Sequence, residues 1–254
     1  MSQKNRLKRI FIFYFFAIVL SNFFRLNIIP IDTLLNELPF YTIIFINPLE
    51  AIGVLIGALF ARNLLKKQKH LNYSIFGSSK FLSIIMILIP VSLVTILGLE
   101  NSSNINPNIY GLVMLISTAI YCFNEEIGWR GYLQDELNDK SSLKKYALIG
   151  FLWYFWHLSF LKNSSLVSNL FILAVMIFAS WGLGQVIEKT KSILAATGFH
   201  MVINIFIFNP SISTNIKGSD KILILIIPLI FYIFILAYWN KFALKKQNKR
   251  PTNS

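Results

Sequence analysis

The 254-residue chain has little of what a soluble enzyme shows to water. Charged residues make up 14% of it, against about 25% in an average soluble domain. Only 11 Asp and Glu are present, with three histidines and one cysteine, Cys122. A lone cysteine excludes an internal disulfide, and three histidines are too few for a histidine-rich metal cluster. What is there instead is apolar: 55% hydrophobic residues, 23 Phe and a mean hydropathy of +0.60. One core of this size cannot hide that much apolar surface from water, so the lipid bilayer is the natural solvent.

A membrane helix takes about 17 to 25 mostly apolar residues. Runs of that kind predict spans at 10–28, 40–61, 81–99, 109–124, 146–161, 169–187, 193–209 and 221–240. The expected fold is therefore an all-α, polytopic transmembrane bundle of about eight spans. Residues 1–254 form one membrane-embedded domain, with a motif-bearing core at about 110–210. The N-terminus has a basic start and an apolar stretch from Ile10 to Leu20. No small-x-small cleavage site follows, since Ser21, Asn22, Phe23 and Phe24 come next, and the segment reads as a retained first span.

A net charge of +13 would suggest a nucleic-acid partner in a soluble protein. Here 20 of the 24 Lys and Arg fall in alternate loops, at 4–9, 62–80, 130–145, 189–191 and 241–250; Arg25, Lys162, Lys217 and Lys221 fall in the others. Basic residues are retained on the cytoplasmic side, so the charge is topological and both termini are expected in the cytoplasm. No basic patch remains for nucleic acid.

Ionisable groups at membrane depth cost a few kcal/mol each, roughly, on insertion scales, which makes them functional suspects. Four places qualify: Glu50, just after Pro48; the pair Glu125 and Glu126; His157; and His200. Glu126 and Arg130 are four apart on one helix face, as are His200 and Asn204, whereas adjacent Glu125 and Glu126 point about 100° apart. Arg130 can then neutralise Glu126 in an interfacial ion pair of structural role, leaving Glu125 to point inward as a base. The residues also allow blander readings. A lone intramembrane His or Asn is commonly a helix-to-helix hydrogen bond. Glu50 suits either a polar anchor or a substrate contact, Cys122 an apolar packer, and His70 a solvated loop position. The Phe and Trp stripes read as lipid-facing or interfacial.

Three segments stand out together: Glu125-Glu126-Ile127-Gly128-Trp129-Arg130-Gly131, Trp153-Tyr154-Phe155-Trp156-His157 and His200-Met201-Val202-Ile203-Asn204. In order and spacing they resemble the three motifs of the CPBP family of intramembrane proteases, which includes CAAX prenyl endopeptidases and bacteriocin-processing or immunity homologues. One departure is Trp153, where the family's second motif often has Phe. The resemblance implies that Glu125 and His157 activate a water and that His200 and Asn204 stabilise an oxyanion. It implies a peptide or protein tail as substrate at the membrane, and in a prokaryote a leader or bacteriocin-type precursor in the plasma membrane rather than a prenylated tail.

Two further readings compete on cofactor and class. Glu125, His157 and His200 could together hold a zinc ion; Asn204 favours a metal-free glutamate hydrolase instead, because amides are poor zinc ligands and good oxyanion donors. A non-catalytic immunity or scaffold protein is the alternative from another class. A transporter is disfavoured, since the ionisable groups are expected to cluster in one half of the bundle without paired inverted repeats. Depth is a test. At 1.5 Å per residue Glu125 lies about 6 Å from the inner side, His157 about 16 Å and His200 about 10 Å. They meet only if the fifth helix starts a turn before residue 146 or dips into the cytoplasm.

Overall fold

The computed structural model describes residues 3–30, 33, 37–64, 72–158 and 165–247. His70, Lys66, Lys67, Lys69, Lys162, Lys249, Arg250 and positions 159–161 of the expected fifth span lie outside them. The described residues are helical, apart from connecting loops and one isolated bridge between Ser74 and Ser192. Each expected span has its helix: α1 Gln3–Arg25, α2 Ile52–Leu64, α3 Lys80–Leu97, α4 Pro107–Glu126, α5 Ser142–Trp156, α6 Leu166–Thr190, α7 Ile193–Ile203 and α8 Gly218–Gln247. Among the described residues five segments are long and apolar enough to cross a membrane: Asn5–Arg25, Phe40–Asn63, Lys80–Leu97, Leu166–Thr190 and Gly218–Lys241. Ile193–Ile207 is apolar but shorter. The protein is thus a multi-pass integral membrane protein built of helices.

The chain folds as two compact units, Met1–Asn72 with Ile116–Gln185, and Tyr73–Leu115 with Val186–Ser254. In the first, α1 lies against α2 at Gly53 and Gly57, four residues apart. A Cβ on Gly53 would come within 2.7 Å of the Ser21 backbone nitrogen, and one on Gly57 within 2.6 Å of the Phe13 carbonyl oxygen. Small residues at this spacing let two backbones pack where lipid supplies no hydrophobic drive. The expected span at 40–61 is broken before α2. Two short 3-10 turns, Phe40–Thr42 and Asn47–Ala51, flank a single helical turn, Ile43–Ile46. Pro48 in the second turn lacks an N–H for a regular ladder, and side-chain bonds to α4 hold the broken segment. Asn47 donates to Ser117 (3.1 Å), and Ser117 donates to the Ile43 carbonyl (2.9 Å).

In the second unit a hook at 74–75 bonds the start of α7. The Ile193 and Leu194 N–H groups donate to the Ser74 and Ile75 carbonyls at 3.0 Å, and Ser192 caps α7 by accepting from Ala195 N–H at 3.1 Å. Gly198 lets α7 press on α3, since a Cβ there would overlap the Met86 carbonyl oxygen. The buried Tyr232 hydroxyl of α8 lies 2.7 Å from that carbonyl and 2.9 Å from that of Gly198.

Candidate active site

Glu125 does not close its helix. α4 passes without a break into a π-helical stretch, Ile127–Leu133, and on through Gln134–Glu136. The far end is fixed by a buried pair, Arg9 to Glu136, with both guanidinium bonds made (2.9 and 2.7 Å). Eleven residues of helix beyond Glu125 put it about 16 Å from that end rather than about 6 Å, the depth expected for His157. α5 starts at Ser142, a turn earlier than residue 146. Within this unit Glu125 and the turn before His157 touch.

That contact comes from tryptophan. Glu125 Oε2 accepts the indole N–H of Trp153 at 2.6 Å and of Trp129 at 3.2 Å, and the residue is 1% exposed. The lipid-facing reading of the Trp stripe is therefore corrected: Trp129, Trp153, Trp156 and Trp239 are fully buried, and only Trp181 is exposed. An indole buried in a bundle needs an acceptor for its N–H, and a carboxylate is the strongest one available. Many of the Phe side chains do face outward, Phe11, Phe45 and Phe171 among them.

Glu126 and Arg130 form the expected pair, at 3.0 Å, but deep in the unit and not at an interface, with neither side chain exposed. Arg130 also lies 4.4 Å over the Trp153 ring and donates to Ser180 at 3.5 Å. The π stretch begins directly after Glu126. Such bulges gather at functional sites, and this one carries Trp129 and Arg130, one donor for each carboxylate.

His157 is not inside its helix. α5 ends at Trp156, and His157 follows with φ −81° and ψ 63°. Side chains of α1 account for the stop. Asn22 reaches the Trp156 carbonyl at 3.4 Å, the Trp156 indole donates to the Ala17 carbonyl at 2.9 Å, and Arg25 stacks 3.5 Å above the Trp156 ring. Arg25 Nη1 lies 2.7 Å from His157 Nδ1, and Nη2 donates to the Tyr121 hydroxyl. Glu50, left open by the sequence, comes within 3.8 Å of Arg25 Nε.

His200 and Asn204 belong to the second unit, at the end of α7, and both are buried. The Asn204 N–H closes the last turn on the His200 and Met201 carbonyls, and a second π stretch, Asn204–Phe208, starts there. One face of one helix end thus carries an imidazole and an amide, as the spacing implies.

Arg25, Tyr121, Trp129 and Trp153 were not singled out as site residues. Arg25 carried a signal: it lies inside the expected span at 10–28, where the rule applied to Glu50 and the histidines would have flagged it. Charge counting made it a loop residue instead. Arg9 and Arg130, also counted as topological, are buried in ion pairs.

One unit of this polytopic helical protein thus carries a buried carboxylate clamped by indole donors and an imidazole at a helix end, and the other carries a His/Asn pair. Residues 107–206 match the family described as Type II CAAX prenyl endopeptidase Rce1-like. The chain is also 34% identical over 109 residues to "CAAX prenyl protease 2" of Methanococcus maripaludis, a match taking in 37% of this chain and 38% of the relative's length. The resemblance carried by the three motifs is borne out over the segment that holds them. No solved structure matches.

Proposed function

We propose that the protein is an intramembrane endopeptidase that cleaves a peptide or protein tail brought to it at the membrane. The observation that carries this reading is Glu125, a carboxylate at membrane depth, held by Trp129 and Trp153 within the segment that matches the endopeptidase family. Glu125 takes a proton from water as the water oxygen adds to the scissile carbonyl. The oxyanion that forms accepts hydrogen bonds from His200 and Asn204. When the C–N bond breaks, the proton passes to the leaving amine. A positioned base contributes about 10² to 10⁴ in rate and one oxyanion donor about 10² to 10³.

The chemistry is metal-free in this reading. An amide at Asn204 suits an oxyanion better than zinc, and a cationic guanidinium 2.7 Å from His157 Nδ1 disfavours a second cation beside that ring. Both termini lie in the cytoplasm, and the membrane is a bacterial plasma membrane. Of the two substrate types, a leader or bacteriocin-type precursor is preferred to a CAAX-type tail.

The test is turnover of both peptide types by purified protein in lipid vesicles, with and without a strong chelator. Glu125→Gln keeps the shape and removes the base. It is expected to fold, to bind and to lose at least about 10²-fold in turnover, and adding His157→Ala should cost little more, since groups acting as a unit are non-additive. Wild-type rates in Glu125→Gln would end the peptidase reading. A variant dead in cleavage yet fully functional in the cell would favour the binding-only immunity or scaffold role. Activity lost to chelator and restored only by zinc would reverse the metal-free mechanism.

A further inference from the structure

Two buried arginines of α1 are used in different ways. Arg9 makes both its bonds to a carboxylate, that of Glu136, with side chains 3% and 2% exposed. This is how a buried guanidinium is normally compensated. Arg25 is as buried, at 4% side-chain exposure, but the carboxylate it pairs with among the described residues is Glu50, at 3.8 Å and on a side chain 37% exposed. Its two terminal nitrogens are directed instead at two neutral acceptors, His157 Nδ1 at 2.7 Å and the Tyr121 hydroxyl. The flat face of the guanidinium rests on Trp156 at 3.5 Å, which fixes its plane. A merely structural cation would have followed the Arg9 pattern.

We propose that Arg25 is a positioning residue that locks His157 in the tautomer with its proton on Nε2. A guanidinium donates and never accepts, and it keeps its proton throughout the accessible pH range. Nδ1 facing it at hydrogen-bond distance must therefore offer its lone pair, which leaves the ring proton on Nε2. A second proton on the ring would set an N–H against the guanidinium and break the contact. His157 is thereby a proton donor at Nε2, able to orient water or substrate but not to take a proton there, and Glu125 is the only base of the pair. The consequence for turnover rests on the peptidase reading, whereas the tautomer does not.

The tautomer can be read directly. Full-length protein labelled with ¹⁵N-histidine, reconstituted in lipid discs, gives ring ¹⁵N–¹H correlations that distinguish Nδ1–H from Nε2–H, with the His157 signals assigned by their loss in His157→Gln. The wild-type protein is expected to show His157 as a single neutral Nε2–H form. Arg25→Met should convert it to a mixture of tautomers and lower kcat about 10- to 100-fold, as loss of a partner behind a working ligand typically does, with KM within about twofold. Arg25→Lys, which still donates, should restore part of both readouts. A proton on Nδ1 in the wild type, a doubly protonated ring, or an unchanged tautomer in folded Arg25→Met would overturn the proposal. Should Arg25→Met not fold, the wild-type spectrum decides alone. An Nε2–H form in a protein that cleaves no peptide would sink the peptidase reading and leave the tautomer lock standing.

Discussion

Glu125 and His157 are held in one unit by donors and charge; His200 and Asn204 are held in the other by backbone and small residues. Around Glu125 two indoles converge, next to it Glu126 and Arg130 pair with both side chains fully buried, and beside His157 a guanidinium faces the ring. Around His200 the positioning elements are a serine cap, a main-chain hook and a glycine pressed on a carbonyl. The difference follows from what each group has to do. A carboxylate inside a bilayer must be solvated by the protein itself, because an unpaired buried charge is far more costly than an unpaired amide. An imidazole and an amide that only donate need accurate placement and little electrostatic support. In both halves a π stretch starts at a polar motif residue or directly after one, at Asn204 in one and after Glu126 in the other, and it turns the following residues away from a regular helix face.

The comparison breaks most clearly at Arg130. Arg130→Ala removes the cation paired with the buried Glu126, which should destabilise the protein by about 3 to 5 kcal/mol, seen as lost folded yield and a lowered melting temperature in detergent. Recovery of yield in an Arg130→Met, Glu126→Leu double variant would show that charge balance and not shape was lost, whereas normal yield in Arg130→Ala would show a solvated pair. Trp153→Phe is the next in size. It restores the aromatic often found at this position in the resembling family and removes one of two N–H donors on Glu125, worth about 1.5 to 3 kcal/mol for a bond to a charged group. Folding should survive, since Trp129 remains, and kcat should fall about tenfold or more. An unchanged kcat would mean that Trp153 only packs. Gly198→Ala probes the other half and should have the smallest effect. Overpacking costs about 1 to 3 kcal/mol, and the better helix propensity of Ala returns about 1 of that. A small drop in stability is expected, with α7 pushed off α3 and turnover reduced; crosslinking of α3 to α7 by paired cysteines would report the shift. A variant as stable and as active as the parent would mean that α7 has slack at the contact.

The sequence by itself determined the solvent, the helices and the chemistry-bearing positions. Composition excluded water, hydrophobic run lengths located eight helices, and helical spacing placed Glu126 against Arg130 and His200 beside Asn204. These are local properties: run length depends on the hydrophobic thickness, and a pair four residues apart needs only a helix to meet. What the tertiary structure decided is which apolar residue faces a neighbour and which faces lipid. The two environments are equally apolar, so no periodicity separates buried Trp153 from exposed Trp181. It also decided where helices stop or bulge. α5 ends at Trp156 because Asn22, Ala17 and Arg25 of another helix meet its end, and α4 runs past Glu126 because Arg9 waits for Glu136 at its far end. An arginine in α1 and an imidazole 132 residues later have no sequence relation at all; only packing brings a donor to that lone pair.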